Sequence, residues 1–355
     1  MVQAQPLNVA LVGFGYGGRT FHAPLIGASP RLRLHTVVSS RPEAVHARLP
    51  DAKVVPDLAA ALTDPNIALV VVAAPNAEHA PLARQALETG RAVVVDKPFT
   101  LTLAEAVELV GMTEARGRLL SVFHNRRWDA DFLTLQSLVE ADRLGRIVRL
   151  ESRFNRYRPE VRDRWREADV PGAGVWYDLG PHLIDQALVL FGMPVGVSAD
   201  LTILRDGGKA CDYAHVVLRY PDRRVILHAD MLSAEPDPRF LVQGTRAAFL
   251  SHGLDPQEEQ LKATGGAGGA GWGVDPQPGE IIDGATGARE PAPGVPGDYR
   301  RYYDGIAAAL LEGAPNPVPP DEAVAVMAVL ETARISAEQG REVCLDGLPI
   351  RPGAA

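Results

Sequence analysis

Cysteine is scarce: Cys211 and Cys344 are the two thiols in 355 residues. Two thiols make no disulfide framework and cannot alone close a thiolate zinc site; they suit a reducing cytoplasm, which is the expected compartment. His22, His35, His46, His79, His124, His215, His228 and His252 are scattered without paired ligand spacing, so no metal is expected. Basic charge is not in excess either. Lys and Arg number 36 against 44 Asp and Glu, a formal net charge of -8, which argues against nucleic acid as a partner. No run of about 20 apolar residues exists, so no membrane span is expected. The apolar stretch Val9 to Val12 runs straight into Gly13, too short for a signal-peptide core, and reads as a first strand. What is present is an ordinary globular composition, 46% hydrophobic and 23% charged, which excludes disorder of the whole chain and leaves roughly two domains at about 150 residues each.

Strand and helix signals alternate from Leu7 to about Phe123. Strands are expected at Leu7–Val12, Leu32–Val38, Ile67–Ala73, Ala92–Val95 and Leu119–Phe123. Helices are expected near Arg19–Ala28, Pro42–Leu49, Asp57–Leu62, Glu78–Glu88 and Thr102–Arg116. Nearly all-apolar strands between helices imply a parallel sheet covered on both faces, an α/β Rossmann domain over residues 1–124. Past residue 124 the period changes. A helix at Asp131–Ala141 precedes alternating segments at Ile147–Tyr157, Tyr213–Tyr220 and Arg224–Leu232, as in an antiparallel sheet with one wet face. Residues 125–355 therefore read as an α+β domain with a large, mainly antiparallel, open-faced sheet. Thr264–Asp298, rich in Gly and Pro, reads as a long loop or flap. Helices at Tyr299–Glu312 and Asp321–Gly340 close the chain and can pack back on the first domain.

Gly13-Phe14-Gly15-Tyr16-Gly17-Gly18 lies between the first strand and the first helix. In that context the first glycine of G-x-G-x-x-G makes the turn, the second admits a pyrophosphate, and the third lets helix and strand approach. Gly13, Phe14, Gly15, Tyr16 and Gly18 are thus expected at a dinucleotide; a tight turn in some other α/β protein is the competing reading. An acceptor for the ribose hydroxyls of NAD would be a carboxylate at the end of the second strand. Ser39, Ser40 and Arg41 stand there instead, donors suited to a 2′-phosphate, so NADP (NADPH) is favoured over NAD unless Arg41 is merely solvated. Ala74, Pro75 and Asn76 follow the third buried strand, at the edge where such sheets bind cofactors. His79 either contacts the cofactor with them or faces solvent at the helix start.

Asp96-Lys97-Pro98 follows the strand Ala92–Val95. A lysine at that sheet edge can polarise a hydroxyl or carbonyl beside a nicotinamide; an exposed turn lysine is the alternative. Asp178 and His182 are four apart, with Asp185 three further on, so a helix there sets them on one face. A carboxylate near an imidazole suits proton abstraction from an alcohol, although such pairs also serve structure. Arg126 and Arg127, with Asn155, Tyr157 and Arg158, supply the polar density that a polyol needs. Salt bridges at the domain interface would otherwise explain Arg126 and Arg127, and cross-strand packing Tyr157.

Taken together, the glycine loop, Asp96-Lys97-Pro98 and Asp178-x-x-x-His182 resemble the glucose–fructose oxidoreductase, inositol dehydrogenase and rhizopine-catabolism oxidoreductase (Gfo/Idh/MocA) superfamily over nearly the whole chain. Asp96 stands where that family usually has Glu. Val122 to Asp129, Asn155 to Glu160, Tyr177 to Gly180 with His182, and Phe21-His22 look like its NADP-dependent scyllo-inositol dehydrogenase branch. The resemblance implies hydride exchange between nicotinamide C4 and a substrate carbon. It implies Lys97, Asp178 and His182 as catalytic residues, with His182 as general base or acid. The same three residues, with Asn125, Arg126 and Tyr157, would bind a cyclitol or sugar, scyllo-inositol foremost. The implied cofactor residues are those named above, Asp96, Lys97 and Pro98 included. A homodimer or homotetramer through the second-domain sheet is expected. Another aldose, keto-sugar or xenobiotic carbonyl as substrate, or a nucleotide-holding sensor without turnover, are the rival readings.

Overall fold

A computed structural model describes residues 5–235 and 237–345. The chain forms two compact units. One takes residues up to Asn125 together with Gln257–Trp272 and Asp298–Ala323. The other takes Arg126–Pro256, Gly273–Gly297 and the chain from Val324 onward.

In the first unit β1 (Leu7–Val12) leads through a π-helical turn, Gly18–His22, into α1 (Ala23–Ala28). Next come β2 (Leu32–Val38), α2 (Pro42–His46), β3 (Lys53–Val55) and α3 (Leu58–Leu62). The series ends with β4 (Ile67–Val72), α4 (His79–Glu88), β5 (Ala92–Val95), α5 (Leu103–Arg116) and β6 (Leu120–Val122). All six strands are parallel, in the order β3-β2-β1-β4-β5-β6. Leu69–Val72 and Val93–Val95 are wholly buried, which is why those strands carry no polar alternation. Helix starts follow local chemistry. Asp57 accepts from Ala60 N at 2.8 Å, and Thr102 with Glu105 forms a capping box on α5. Strand order reverses between β1 and β4, and that crevice at the strands' carboxyl ends is where doubly wound sheets bind nucleotides.

The second unit begins with α6 (Ala130–Glu140) and β7 (Ile147–Arg153), followed by α7 (Val175–Phe191). Then come β8 (Gly196–Thr202), β9 (Tyr213–Arg219), β10 (Arg224–Asp230), β11 (Phe240–Gly244) and β12 (Ala247–Ser251). Helix α8 (Gln257–Thr264) belongs to the first unit, β13 (Glu280–Asp283) and β14 (Arg289–Pro291) to the second. The chain ends with α9 (Arg300–Glu312) in the first unit, α10 (Pro320–Gln339), and β15 (Val343–Cys344). The sheet has nine strands, β14-β13-β12-β11-β7-β10-β9-β8-β15, antiparallel throughout except for the β7–β10 pair. Its β9 and β10 bury Ala214, Val216, Leu218, Val225, Leu227 and Ala229 on the side that packs α7. Tyr213, His215, Val217, Ile226 and His228 lie on the other, half-exposed side.

One expectation is corrected. The Gly/Pro-rich stretch from Thr264 to Asp298 is not simply a loop, because β13 and β14 extend the second sheet by a hairpin. The Asp283 carboxylate closes the turn by accepting from Ala285 N, Thr286 N and Thr286 Oγ1 at 3.1, 2.8 and 2.7 Å. Ile281 and Ile282 are the short apolar core of that hairpin, too short to show a period amid so much glycine.

Candidate active site

The glycine loop is shaped by close backbone approach. A Cβ on Gly13, whose φ is +97°, would lie 2.6 Å from Ala73 O, and one on Gly18 would lie 2.2 Å from Gly13 O. Around Gly15 nothing lies within 4 Å of such an atom. The outer glycines therefore let the chain fold on itself, and the middle one leaves open space where a pyrophosphate fits. Phe14 is buried and Tyr16 exposed, with the Tyr16 hydroxyl donating to Glu258 Oε1 on α8 at 2.5 Å. At the end of β2, Ser39 Oγ accepts from Arg41 N at 3.1 Å, while Ser40 and Arg41 are exposed. Two hydroxyls and a guanidinium without a carboxylate suit a 2′-phosphate better than a bare ribose.

His79 does not face solvent. It is buried, with Nδ1 2.7 Å from Pro98 O and Nε2 3.0 Å from Ala74 O, so the imidazole sits between the two loops expected to line the cofactor and its single N–H in the neutral form donates to one of them. Burial pushes its pKa down. Asn76 is buried beside it in sequence. Asp96 Oδ1 accepts from Lys97 N at 2.8 Å, and Oδ2 lies 3.6 Å from His22 Nε2. The Lys97–Pro98 peptide is cis. Asn125, at the end of this unit, is buried.

In the second unit α7 starts at Gly174, where φ is +88° and a Cβ would meet Cys211 O at 2.8 Å. Glycine is therefore required for α7 to begin against that strand connection. Trp176 Nε1 donates to Leu330 O at 3.1 Å, and Leu179, Leu183, Ile184 and Ala187 fill the core. These contacts fix the rotation of α7, and with it Asp178 in the first turn and His182 one turn later on the same face. Arg156 Nη1 and Arg166 Nε each lie 3.6 Å from the Asp178 carboxylate. His182 is buried. Asp185, further along that helix, is taken by Arg127. Arg126 pairs with Asp129 at 3.1 Å and stacks over Phe154 at 4.8 Å. Both arginines thus hold carboxylates of their own unit. Tyr157 is 61% exposed, and its backbone makes an isolated antiparallel bridge to Leu232.

Two features escape a reading of the sequence. The guanidiniums flanking Asp178 come from two separate places, Arg156 just past β7 and Arg166 in a short helical turn, and nothing local links either to the aspartate. His22, Asp96 and Tyr303 are joined by folding across as many as 281 residues. The local signal for the latter is His22 set between Phe21 and the apolar run Ala23–Ile26.

Among the described residues no cluster of three or more His, Cys, Asp or Glu side chains could hold a metal ion, and no helix is long and apolar enough to cross a membrane.

Comparison with known proteins identifies the family. Residues 7–124 match the family described as "Oxidoreductase family, NAD-binding Rossmann fold", and residues 136–345 match "Oxidoreductase family, C-terminal alpha/beta domain". The chain is 47% identical over 341 residues to the uncharacterized oxidoreductase YdgJ of Escherichia coli K12, covering 96% of this chain and 99% of that one. It is 37% identical over 344 residues to scyllo-inositol 2-dehydrogenase (NADP(+)) IolW of Bacillus subtilis, covering 96% of each. Among solved structures, an oxidoreductase from Klebsiella pneumoniae aligns with a TM-score of 0.90 at 51% identity over 96% of each chain. The chain belongs to the Gfo/Idh/MocA oxidoreductase family, with an NAD(P)-binding Rossmann domain, and is a dehydrogenase or reductase acting on CH–OH groups.

Proposed function

We propose that the chain is an NADP-dependent oxidoreductase that interconverts a secondary alcohol and its ketone in a cyclitol or sugar, with a scyllo-inositol-like molecule as substrate. The observation that carries this reading is the placing of Asp178 and His182 on one face of a rigidly seated helix, with two guanidiniums on the aspartate. The likeness to IolW, whose name gives both the substrate and NADP, supports the substrate and the cofactor.

Gly13, Phe14, Gly15, Tyr16 and Gly18 hold the pyrophosphate, and Ser39, Ser40 and Arg41 the 2′-phosphate. Ala74, Pro75, Asn76, Asp96 and Pro98 line the remainder, with His79 fixing the loops. When bound, the nicotinamide supplies the redox chemistry, accepting or giving hydride at C4. His182 takes the proton of the substrate hydroxyl during oxidation and returns it to the oxygen during reduction. The Lys97 ammonium stabilises negative charge as it develops on that oxygen. Asp178, flanked by Arg156 and Arg166, accepts a hydrogen bond from a neighbouring hydroxyl and orients His182. Asn125, Arg126 and Tyr157 complete the polyol site. The half-exposed sheet face bearing Val217 and Ile226 pairs with another copy in a homodimer or homotetramer, and the cytoplasm is the compartment.

The test is NADPH oxidation with a panel of keto-inositols and keto-sugars. Turnover on scyllo-inosose, with losses of roughly a hundredfold or more in Lys97→Ala and His182→Ala, is expected. Full activity in Lys97→Ala would overturn the mechanism, and turnover confined to aldoses would move the substrate.

A further inference from the structure

Helix α1 is preceded by a histidine that the reaction above does not use. His22 is fully buried, inside the turn that follows the glycine loop. Its ring sits 4.4 Å from the Phe123 ring, centre to centre. Its Nδ1 lies 2.6 Å from the hydroxyl of Tyr303, itself fully buried on α9. Its Nε2 makes no hydrogen bond and faces Asp96 Oδ2 at 3.6 Å. The other Asp96 oxygen accepts from the backbone N–H of Lys97. Asp96 also abuts the nucleotide loop, since a Cβ on Gly17 would lie 2.8 Å from Oδ2.

The tautomer follows from electrostatics. A bare Nε2 lone pair pointed at a carboxylate is repulsive, whereas an Nε2–H is attracted to it. With the proton on Nε2, Nδ1 accepts from the Tyr303 hydroxyl, a phenol that burial keeps protonated far above its ordinary range. We propose that His22 is a positioning residue for Lys97: oriented by Tyr303, its Nε2–H holds the Asp96 carboxylate ionised and in place between the glycine loop and the lysine. The consequence for Lys97 rests on the oxidoreductase reading; the effect on Asp96 does not.

The groups that face this site are Tyr302 and Tyr303 from α9, Asp96 and Lys97 after β5, and His79 at the start of α4. Burial pushes the Asp96 carboxyl up, but the neighbouring His22 imidazole, polar and when protonated charged, and after it the charges of Lys97 and His79 outweigh that cost and bring it down to about 2. Without His22 the burial cost is offset only by the charges of Lys97 and His79. The carboxylate then takes up a proton at higher pH, and Lys97 loses a fixed counter-charge.

The experiment is a carbon-13 titration of the aspartate carboxyl groups in the full chain, with the Asp96 signal identified by its loss in Asp96→Asn. In the wild type Asp96 stays ionised down to the acid limit of folding. In His22→Phe its midpoint rises by about one pH unit or more, and kcat/KM for the ketone gains an acid limb. His22→Gln, which restores an amide donor, recovers at least half of the shift. A purely structural histidine would lower Tm in all variants and leave the midpoint where it was. If His22→Phe does not fold, Tyr303→Phe, which frees the ring to change tautomer, takes its place and raises the same midpoint. An unmoved Asp96 midpoint in a folded His22→Phe or Tyr303→Phe protein overturns the inference. Full activity of Lys97→Ala would instead sink the catalytic reading and leave the titration result standing.

Discussion

Arg127 grips Asp185 with two nitrogens, Nη2 at 2.6 Å and Nε at 2.9 Å, three residues past His182 on α7. Side-chain exposure is 12% for Arg127 and 2% for Asp185, so the Asp185 charge is buried against this guanidinium. Breaking such a pair leaves a buried charge uncompensated, a cost of about 3–5 kcal/mol. Arg127→Ala should therefore destabilise the second unit by that amount in urea unfolding at pH 7. Because Asp185 is buried on the helix that carries His182, kcat should fall too. An Asp185→Asn change that leaves both stability and kcat intact would show that the pair merely fills space.

A second buried pair sets an acid limit. Glu167 accepts from Arg164 Nε at 2.7 Å, Arg162 N at 2.9 Å and Arg205 Nη1 at 3.1 Å. Burial raises the carboxyl pKa, but these donors and charges outweigh it, so it ends below its ordinary value. A depressed folded pKa stabilises the protein above the unfolded value, about 4.3, and the contribution is lost as pH falls through the folded value. Wild type should lose stability more steeply than Glu167→Gln below about pH 4.5. At pH 7 the glutamine variant should be the weaker of the two. Parallel acid slopes in urea titrations across that range would contradict this.

The first unit was legible because its strands are buried on both faces. Polar alternation is absent from Leu69–Val72 and Val93–Val95, and unbroken apolar runs between helical periods point to one architecture. Strands β9 and β10 were equally readable from their period of two. β3, three residues long, and the β13–β14 hairpin were not, because a strand that short carries no period of its own. The catalytic candidates came from local patterns: a glycine loop after a strand, a lysine at a strand's end, an Asp and a His one turn apart. Their surroundings did not. Arg166 on Asp178, or Tyr303 on His22, are set by tertiary packing across loops, which no window of sequence contains.

Gly15 separates nucleotide binding from folding. Alanine at Gly13 or Gly18 would place a methyl within 2.6 or 2.2 Å of a carbonyl oxygen, so those variants should misfold or lose stability heavily. Gly15→Ala meets no protein atom within 4 Å. It should keep the wild-type Tm without ligand while losing dinucleotide affinity by about tenfold or more, roughly 1.4 kcal/mol. Fluorescence titration with NADPH beside an unliganded melting curve checks both halves. Unchanged affinity would mean that the pyrophosphate does not approach this backbone.

Arg41 should decide between the two dinucleotides. It is exposed at the end of β2, where its backbone N–H donates to Ser39 Oγ, so the turn can persist when the side chain is cut back. A charge-assisted hydrogen bond to a 2′-phosphate contributes about 1.5–3 kcal/mol, and NAD offers no such group. Arg41→Ala should therefore weaken NADP binding by roughly ten- to a hundredfold and leave NAD binding within about twofold. Placing a carboxylate at Ser39 should go further, repelling the phosphate and accepting from the ribose hydroxyls, so that Ser39→Asp with Arg41→Ala prefers NAD. The salt dependence supplies a control, since wild-type affinity for NADP should fall with ionic strength more steeply than that of Arg41→Ala. Equal losses for both dinucleotides in Arg41→Ala would mean that the arginine supports the loop and does not read the phosphate.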